Sequence, residues 1–175
     1  MNTQSHARPQ LFAGILALLG LVVGSALVGA EADPGDQPPG PAPGLEPVDA
    51  VAAQLAALSR NDEPYPGAGI EVTWAFASPA NRAATGPLER FRDLFSNRAY
   101  APMLDHVDAR FSDARRAGEA ALVGVILTDA DGAERGYLFQ LSRQRTDACD
   151  ACWMTDAVMP MPVGTGGRER RPQAI

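Results

Sequence analysis

The 175-residue chain is 46% hydrophobic and 21% charged, a composition typical of a folded globular protein and not of a disordered one. Its net charge is −6 at pH 7, and residues 45–163 contain 11 Arg against 17 acidic residues. Because phosphate backbones attract the opposite charge, this balance argues against a nucleic-acid-binding protein.

The chain opens with an uncharged apolar run at residues 11–30, preceded by Arg8. A run of this length can span a membrane, while Ala30-Glu31-Ala32 also offers a small-x-small cleavage site. Residues 1–32 are therefore predicted to be either a cleaved signal peptide or a single-pass membrane anchor. Both alternatives place the folded part on the non-cytoplasmic side, either anchored or secreted, because Arg8 holds the amino end inside.

Residues 33–47 contain six prolines and three glycines, which exclude regular helix and sheet and predict a semi-rigid linker. Residues 164–175 are rich in Gly and Arg and are predicted to be a flexible tail. One domain is expected between them, over residues 48–163, and this length is enough for a single core.

Three helices are predicted first. Residues 48–58 carry apolar side chains three and four positions apart, which indicates an amphipathic helix. A short second helix is expected at residues 70–77, where Ser78-Pro79 ends it, and a third at residues 87–97, with Pro87 in its first turn. The segment between the second and third helices, residues 78–86, is interpreted as a loop.

The pattern then changes to four strands. Residues 107–112 alternate with period two, and residues 122–127 form a continuous apolar run suited to a central strand. The turn residues 129–132 predict a hairpin to a strand at residues 135–142, and the last strand is expected at residues 153–159, ended by Pro160. Helices followed by antiparallel strands predict an α+β domain with the helices on one face of the sheet.

Several blocks of this region resemble one known family. They are Asn61-Asp62-Glu63-Pro64, Ala68-Gly69-Ile70, residues 76–91, and Cys152-Trp153-Met154-Thr155-Asp156. In residue identity and in order along the chain they are similar to DUF4864, a family of domains of unknown function found in bacteria and chloroplasts. Residues 100–118 and Cys149 depart from the pattern of this family. The family is similar to the NTF2-like (cystatin-like) cone. The resemblance thus implies three N-terminal helices packed on a curved four-stranded antiparallel sheet, and a possible homodimer through the open sheet. It implies no activity.

Cys149 and Cys152 are the only cysteines, with two residues between them, in a domain expected to be exported, where oxidation favours a local disulfide. A thiol redox switch is the alternative, although Asp147 and Asp150 beside the pair would raise a thiol pKa. A zinc site needs four ligands, and a single histidine outside the leader does not complete that set, so no metal is expected.

Three side chains are weak candidates for catalysis. His106, flanked by acidic residues, or Asp156 could act as a general base, with Tyr100 as a donor. Against His106, the period-two pattern places it on the solvent face of the first predicted strand.

Three further side chains are weak candidates for ligand binding. Asn81 and Arg82, in the expected loop, could bind an acidic ligand, and Trp74 could line a pocket. Each also has an ordinary structural role available, as a cap, a surface charge or a core aromatic.

The sequence contains no nucleophile motif and no phosphate-binding loop, so we expect no cofactor and a non-catalytic module that binds a protein or a small ligand. The alternatives are a small-molecule enzyme using the interior of the cone, or a redox switch at Cys149/Cys152. The partner, the ligand, the oligomeric state and the compartment, bacterial envelope or plastid, are left open.

Overall fold

The computed structural model describes residues 39–146 and 149–163. Within them, the α-helices are α1 (Pro47–Leu58), α2 (Ala68–Phe76), α3 (Pro79–Thr85) and α4 (Leu88–Asp93), followed by 3-10 helices at Leu94–Ser96 and Ala101–Met103. The strands are β1 (Asp108–Phe111), β2 (Arg115–Ala117), β3 (Ala120–Thr128), β4 (Glu134–Thr146) and β5 (Cys149–Met161). The α+β prediction is confirmed, with four helices instead of three and five strands instead of four.

The predicted signal or anchor, residues 33–38 of the predicted linker and the predicted tail lie outside the described residues. None of the helices that the structure does describe combines the length and the hydrophobicity that a bilayer-spanning segment needs.

Helix α1 follows directly from its sequence. Pro47 occupies the first turn, and Glu46 and Asp49 form a reciprocal capping box that satisfies free backbone N–H groups. Val51, Leu55 and Leu58 lie on one face and are at most 1% exposed. Helix α1 packs against β3 and β5 of the sheet and against α2.

Residues 79–85, interpreted from sequence as a loop, form helix α3. The Ser78 hydroxyl caps it by accepting a hydrogen bond from the Asn81 N–H at 3.2 Å, and Pro79 suits its first turn. Asn81 and Arg82 are therefore helical residues, and the loop assignment is wrong. The predicted helix at residues 87–97 is also divided, since α4 gives way to a 3-10 turn.

The sheet is an antiparallel meander in the order β1–β3–β4–β5, and β2 continues the edge formed by β1 by also pairing with β3. The predicted hairpin at residues 129–132 is confirmed. The Asp129 carboxylate accepts hydrogen bonds from the N–H groups of Asp131 and Ala133 and from Arg135 Nε. The Arg135 guanidinium and these N–H groups lower the pKa of Asp129, so the turn is held by a charged carboxylate.

Side chains alternate between the two faces of the sheet, as antiparallel strands require. Val123, Val125 and Phe139 lie on the buried inner face, while Leu122 and Ile126 on the outer face are 38% and 37% exposed. The central strand predicted at residues 122–127 is confirmed, since β3 pairs with β1 and β2 on one side and with β4 on the other, although its outer face is partly exposed.

The last strand runs further than its sequence indicated. Pro160 does not end β5, which continues to Met161. This is possible because β5 lies at the edge of the described sheet, with β4 as its neighbouring strand, so that the missing N–H of Pro160 can face away from the ladder.

The helical layer contains one very close approach. Gly69 in α2 lies against the end of α1, and a Cβ atom built at Gly69 would lie 2.3 Å from the Ala57 carbonyl oxygen. The Gly69 N–H also donates to the Asn61 carbonyl at 3.0 Å. Both neighbouring atoms belong to the backbone and cannot rotate away.

We expect Gly69→Ala to lower the free energy of unfolding by about 1–3 kcal/mol, because overpacking outweighs the better helix propensity of alanine. Urea unfolding of the full chain measures the change. Gly40→Ala is the matched control, since a Cβ atom there meets no atom within 4 Å. Equal stability of the two variants would contradict this account of the contact between α1 and α2.

Tyr137 on β4 connects the sheet to the segment after α4. Its ring is 3% exposed, and its hydroxyl donates to the Ala99 carbonyl at 2.9 Å. Burial raises the pKa of Tyr137 to about 12 from an ordinary value of 10.0. The folded state therefore retains a proton that the unfolded state releases near pH 10.

The stabilisation from this shift is present below pH 10 and is lost as the pH rises towards 12. We expect the free energy of unfolding to fall over that range in the wild-type chain, and to fall less in Tyr137→Phe, which has no phenol to ionise. Urea unfolding at a series of pH values measures both slopes. A slope unchanged by Tyr137→Phe would count against the assignment.

Candidate functional site

A cavity of about 260 Å³ lies between the helices and strand β5. Its walls are mostly apolar and include Phe91, Phe95, Met103, Phe139 and Val158. The polar side chains that line it come from α1, α2, α3, the segment before the second 3-10 helix, and β5: Gln54, Thr73, Asn81, Thr85, Tyr100, Thr155 and Asp156. Apolar walls with a few convergent polar groups are typical of a small-ligand site, and this volume is at the small end.

One wall of the cavity is held together at Thr155, which is 2% exposed. Its carbonyl oxygen accepts hydrogen bonds from the Ser78 N–H at 2.9 Å and from Asn81 Nδ2 at 3.0 Å. Its hydroxyl lies 3.0 Å from Gln54 Nε2, which also donates to the Ala50 carbonyl. Helix α1 and the N-terminal end of helix α3 are thereby joined to β5 at a single residue.

The next residue, Asp156, occupies a β-bulge. Leu141 on β4 pairs with Thr155 and Gln140 pairs with Ala157, so Asp156 has no partner across the ladder. Bulges redirect a side chain, and here the partly buried side chain of Asp156 lines the cavity. Its carboxylate makes no hydrogen bond and no ion pair with residues 39–146 or 149–163. A carboxylate in apolar surroundings is thus left available for a ligand.

Tyr100 contributes a second group to the same cavity. It precedes the second 3-10 helix, and its hydroxyl donates to the Val158 carbonyl at 3.1 Å. The phenolic proton is therefore used in a hydrogen bond to the backbone of β5, while the phenolic oxygen can still accept a hydrogen bond. Three of the sequence-derived candidates, Asn81, Tyr100 and Asp156, therefore meet at one cavity.

His106 lies elsewhere. It precedes β1, is 7% exposed, and its Nδ1 lies 2.9 Å from the Met103 carbonyl oxygen. The expectation of a solvent-facing residue on a strand is wrong, because the β1 ladder begins at Asp108 and His106 turns inward. It does not line the cavity.

Trp74 and Arg82 contact each other outside the cavity. The Arg82 guanidinium lies 5.0 Å from the centre of the Trp74 ring, and its Nη2 donates to the Ala75 carbonyl at 2.9 Å. The Trp74 ring also packs against Phe91, with the ring centres 5.2 Å apart. These contacts join α3 to α2 and α4, and neither side chain lines the cavity.

Sequence reasoning missed Gln54 and Thr155, which position the wall of the cavity. A signal for Gln54 was present, since it falls between Val51 and Leu58 on the apolar face of α1, where a polar residue needs a partner. Nothing in the sequence indicates the bulge after Thr155, because a bulge depends on how β5 pairs with β4.

These features define the class of the protein: an α+β domain in which helices cover one face of an open antiparallel sheet and enclose a small apolar cavity. A family model described as a domain of unknown function, DUF4864, matches residues 45–162, which are most of the chain. The chain belongs to this family, as its sequence blocks indicated. Comparison with curated proteins and with solved structures gave no significant match.

Cys149 and Cys152 form a disulfide bond at the start of β5, with their Cα atoms 5.8 Å apart. Ala151 between them has a positive φ of 62°, and the pairing of β4 with β5 shifts beside them, between Gln144 and Arg145. The bond therefore closes an irregular end of the strand. Neither cysteine lines the cavity.

We expect the double variant Cys149→Ser with Cys152→Ser to lose about 2 kcal/mol of unfolding free energy, because a very short closed loop restrains the unfolded chain only modestly. Guanidinium unfolding of the full chain with and without reductant measures this. Reductant should reproduce the loss in the wild-type chain and leave the double variant unchanged. A reductant effect of equal size in both proteins would contradict the assignment.

Proposed function

We propose that this domain is a non-catalytic module that binds a small, largely apolar ligand in the cavity between its helices and β5. The observation that carries the proposal is the unpaired carboxylate of Asp156, turned by a bulge into apolar walls. Asp156 is partly buried, so a ligand that donates hydrogen bonds to the carboxylate would replace water there. The alternative form of this proposal is that the domain binds a partner protein in place of a small ligand.

An enzymatic role has one observation in its favour, since Asp156 and Tyr100 line the same cavity and could serve as base and donor. The Tyr100 hydroxyl, however, already donates its hydrogen bond to the Val158 carbonyl. No histidine, cysteine or serine is among the described residues that line the cavity. Ligand binding needs only the free carboxylate of Asp156, whereas acid-base catalysis would also need a free proton donor. We therefore favour binding.

We also propose that the domain has the NTF2-like shape, with residues 48–163 as its extent, residues 33–47 as a linker and residues 164–175 as a tail. The helices on one face of an antiparallel sheet and the cavity beneath them support this shape. A position outside the cytoplasm, anchored or released through residues 1–32, is supported by the disulfide, since such bonds persist in oxidising compartments. A redox role of that bond would require reversible reduction at physiological potentials.

The binding proposal is tested by native mass spectrometry of the full chain purified in mild detergent. We expect a small molecule to co-purify with the wild-type chain and to be lost from Ala84→Trp. Ala84 is exposed on α3 but lines the cavity, so a large ring there can fill the space without disturbing the core.

Ala83→Trp is the matched control, because Ala83 is also exposed on α3 but does not line the cavity. It should retain the ligand. Retention by both variants would place the ligand elsewhere and overturn the site. If no small molecule is retained by any of the three proteins, the proposal fails in favour of a protein partner.

A further inference from the structure

The hydrogen-bond donors around the cavity are almost all used by the protein itself. The hydroxyls of Thr73, Thr85 and Tyr100 donate to the backbone carbonyls of Gly69, Asn81 and Val158, at 2.9, 2.8 and 3.1 Å respectively. Gln54 Nε2 is held by the Ala50 carbonyl and the Thr155 hydroxyl. A ligand entering the cavity would therefore meet few N–H or O–H groups.

The side-chain hydrogen-bond acceptors of Asp156 and Asn81, in contrast, are unused. Both oxygens of the Asp156 carboxylate lack a partner among the described residues. Asn81 uses one N–H on the Thr155 carbonyl, and its second N–H and its amide oxygen make no bond within residues 39–146 and 149–163. Three carboxylate and amide oxygens are thus free against one N–H group of these side chains, so a matching ligand mainly donates hydrogen bonds.

The charge of the cavity points the same way. Of the described residues that line it, Asp156 is the only carboxylic acid, and none is Lys, Arg or His. Arg82, on the same helix as Asn81, is held by the Trp74 ring and the Ala75 carbonyl. A carboxylate without a protein cation is best satisfied by a cation that the ligand supplies.

The apolar walls limit the rest of the ligand. Phe91, Phe95 and Phe139 surround a space of about 260 Å³, which suits one ring or a short alkyl chain. Aromatic faces also attract a cation, so they are compatible with a positively charged group nearby.

We infer that the cavity selects small apolar molecules that carry a protonated amine, with the ammonium group bound to the Asp156 carboxylate. The inference rests on the proposed function, because it names the ligand class of the same site. The ammonium group donates a hydrogen bond to the Asp156 carboxylate, and another of its N–H groups can donate to the Asn81 amide oxygen. The apolar part of the ligand contacts the phenylalanines. No bond is made or broken.

The test compares three probes of nearly equal shape by isothermal titration calorimetry of the full chain: benzylamine, benzyl alcohol and benzoate. We expect benzylamine to bind about tenfold or more tightly than benzyl alcohol, as a hydrogen bond to a charged group is stronger than a neutral one. Benzoate should bind more weakly than either, because its charge repeats that of Asp156.

Asp156→Asn should bind benzylamine and benzyl alcohol equally, since it retains the shape but not the charge. Asp113→Asn is the control, because Asp113 is an exposed carboxylate outside the cavity, and it should keep the wild-type preference. Thermal unfolding of both variants verifies that they are folded.

The outcomes separate this inference from the proposed function. Equal binding of amine and alcohol by the wild-type chain, or tighter binding of benzoate, overturns the ammonium inference and leaves the cavity as a ligand site. An amine preference that survives in Asp156→Asn also overturns it. If none of the probes binds and none displaces a co-purified molecule, both the inference and the proposed site fail.

Discussion

The hydrogen bonds at Thr155 are the constraint on which the rest of the domain depends. This residue lies on an edge strand, yet its carbonyl and hydroxyl hold Gln54 of α1, the Ser78 backbone and the Asn81 side chain. Each bond contributes only about 0.5–1.5 kcal/mol, but leaving such buried groups unpaired would cost about 1–3 kcal/mol each. The helices are therefore fixed in position over β5 as well as packed against it. Apolar contact alone would allow them to slide along the sheet, because it is not directional.

The cavity lies beside this constraint. Directly after Thr155 the pairing of β5 with β4 shifts, and Asp156 occupies the resulting bulge. The bulge aims a carboxylate at apolar walls, while the neighbouring Val158 carbonyl receives the Tyr100 hydroxyl. The same strand thus supplies the structural anchor and the chemical group, separated by a single peptide bond. A change that damages the anchor would also displace the site.

Sequence reasoning reached the fold class, the helix α1 and the β3–β4 hairpin, because these depend on periodicity and on local turn chemistry. It missed helix α3, although Ser78 and Pro79 are a regular cap and first turn, since the same residues also read as a helix stop. It placed His106 wrongly because the period-two pattern says nothing about where a ladder begins. The bulge and the hydrogen-bond partners of Thr155 could not be predicted from the sequence, since these contacts join residues as far as 101 positions apart.

The pairing state of each polar group separates binding from catalysis in this cavity. A general base needs a substrate proton and, in most reactions, a second group that supplies or stabilises charge on the opposite side. Here the candidate second group, Tyr100, is already a donor to the Val158 carbonyl, and the other lining hydroxyls are similarly occupied. Among the described residues that line the cavity, the side chains with unused hydrogen-bonding capacity are the Asp156 carboxylate and the Asn81 amide. One unpaired carboxylate can hold a complementary ammonium group, whereas proton transfer would also need a second free group. These contacts are the basis for proposing a binding site for a small apolar amine.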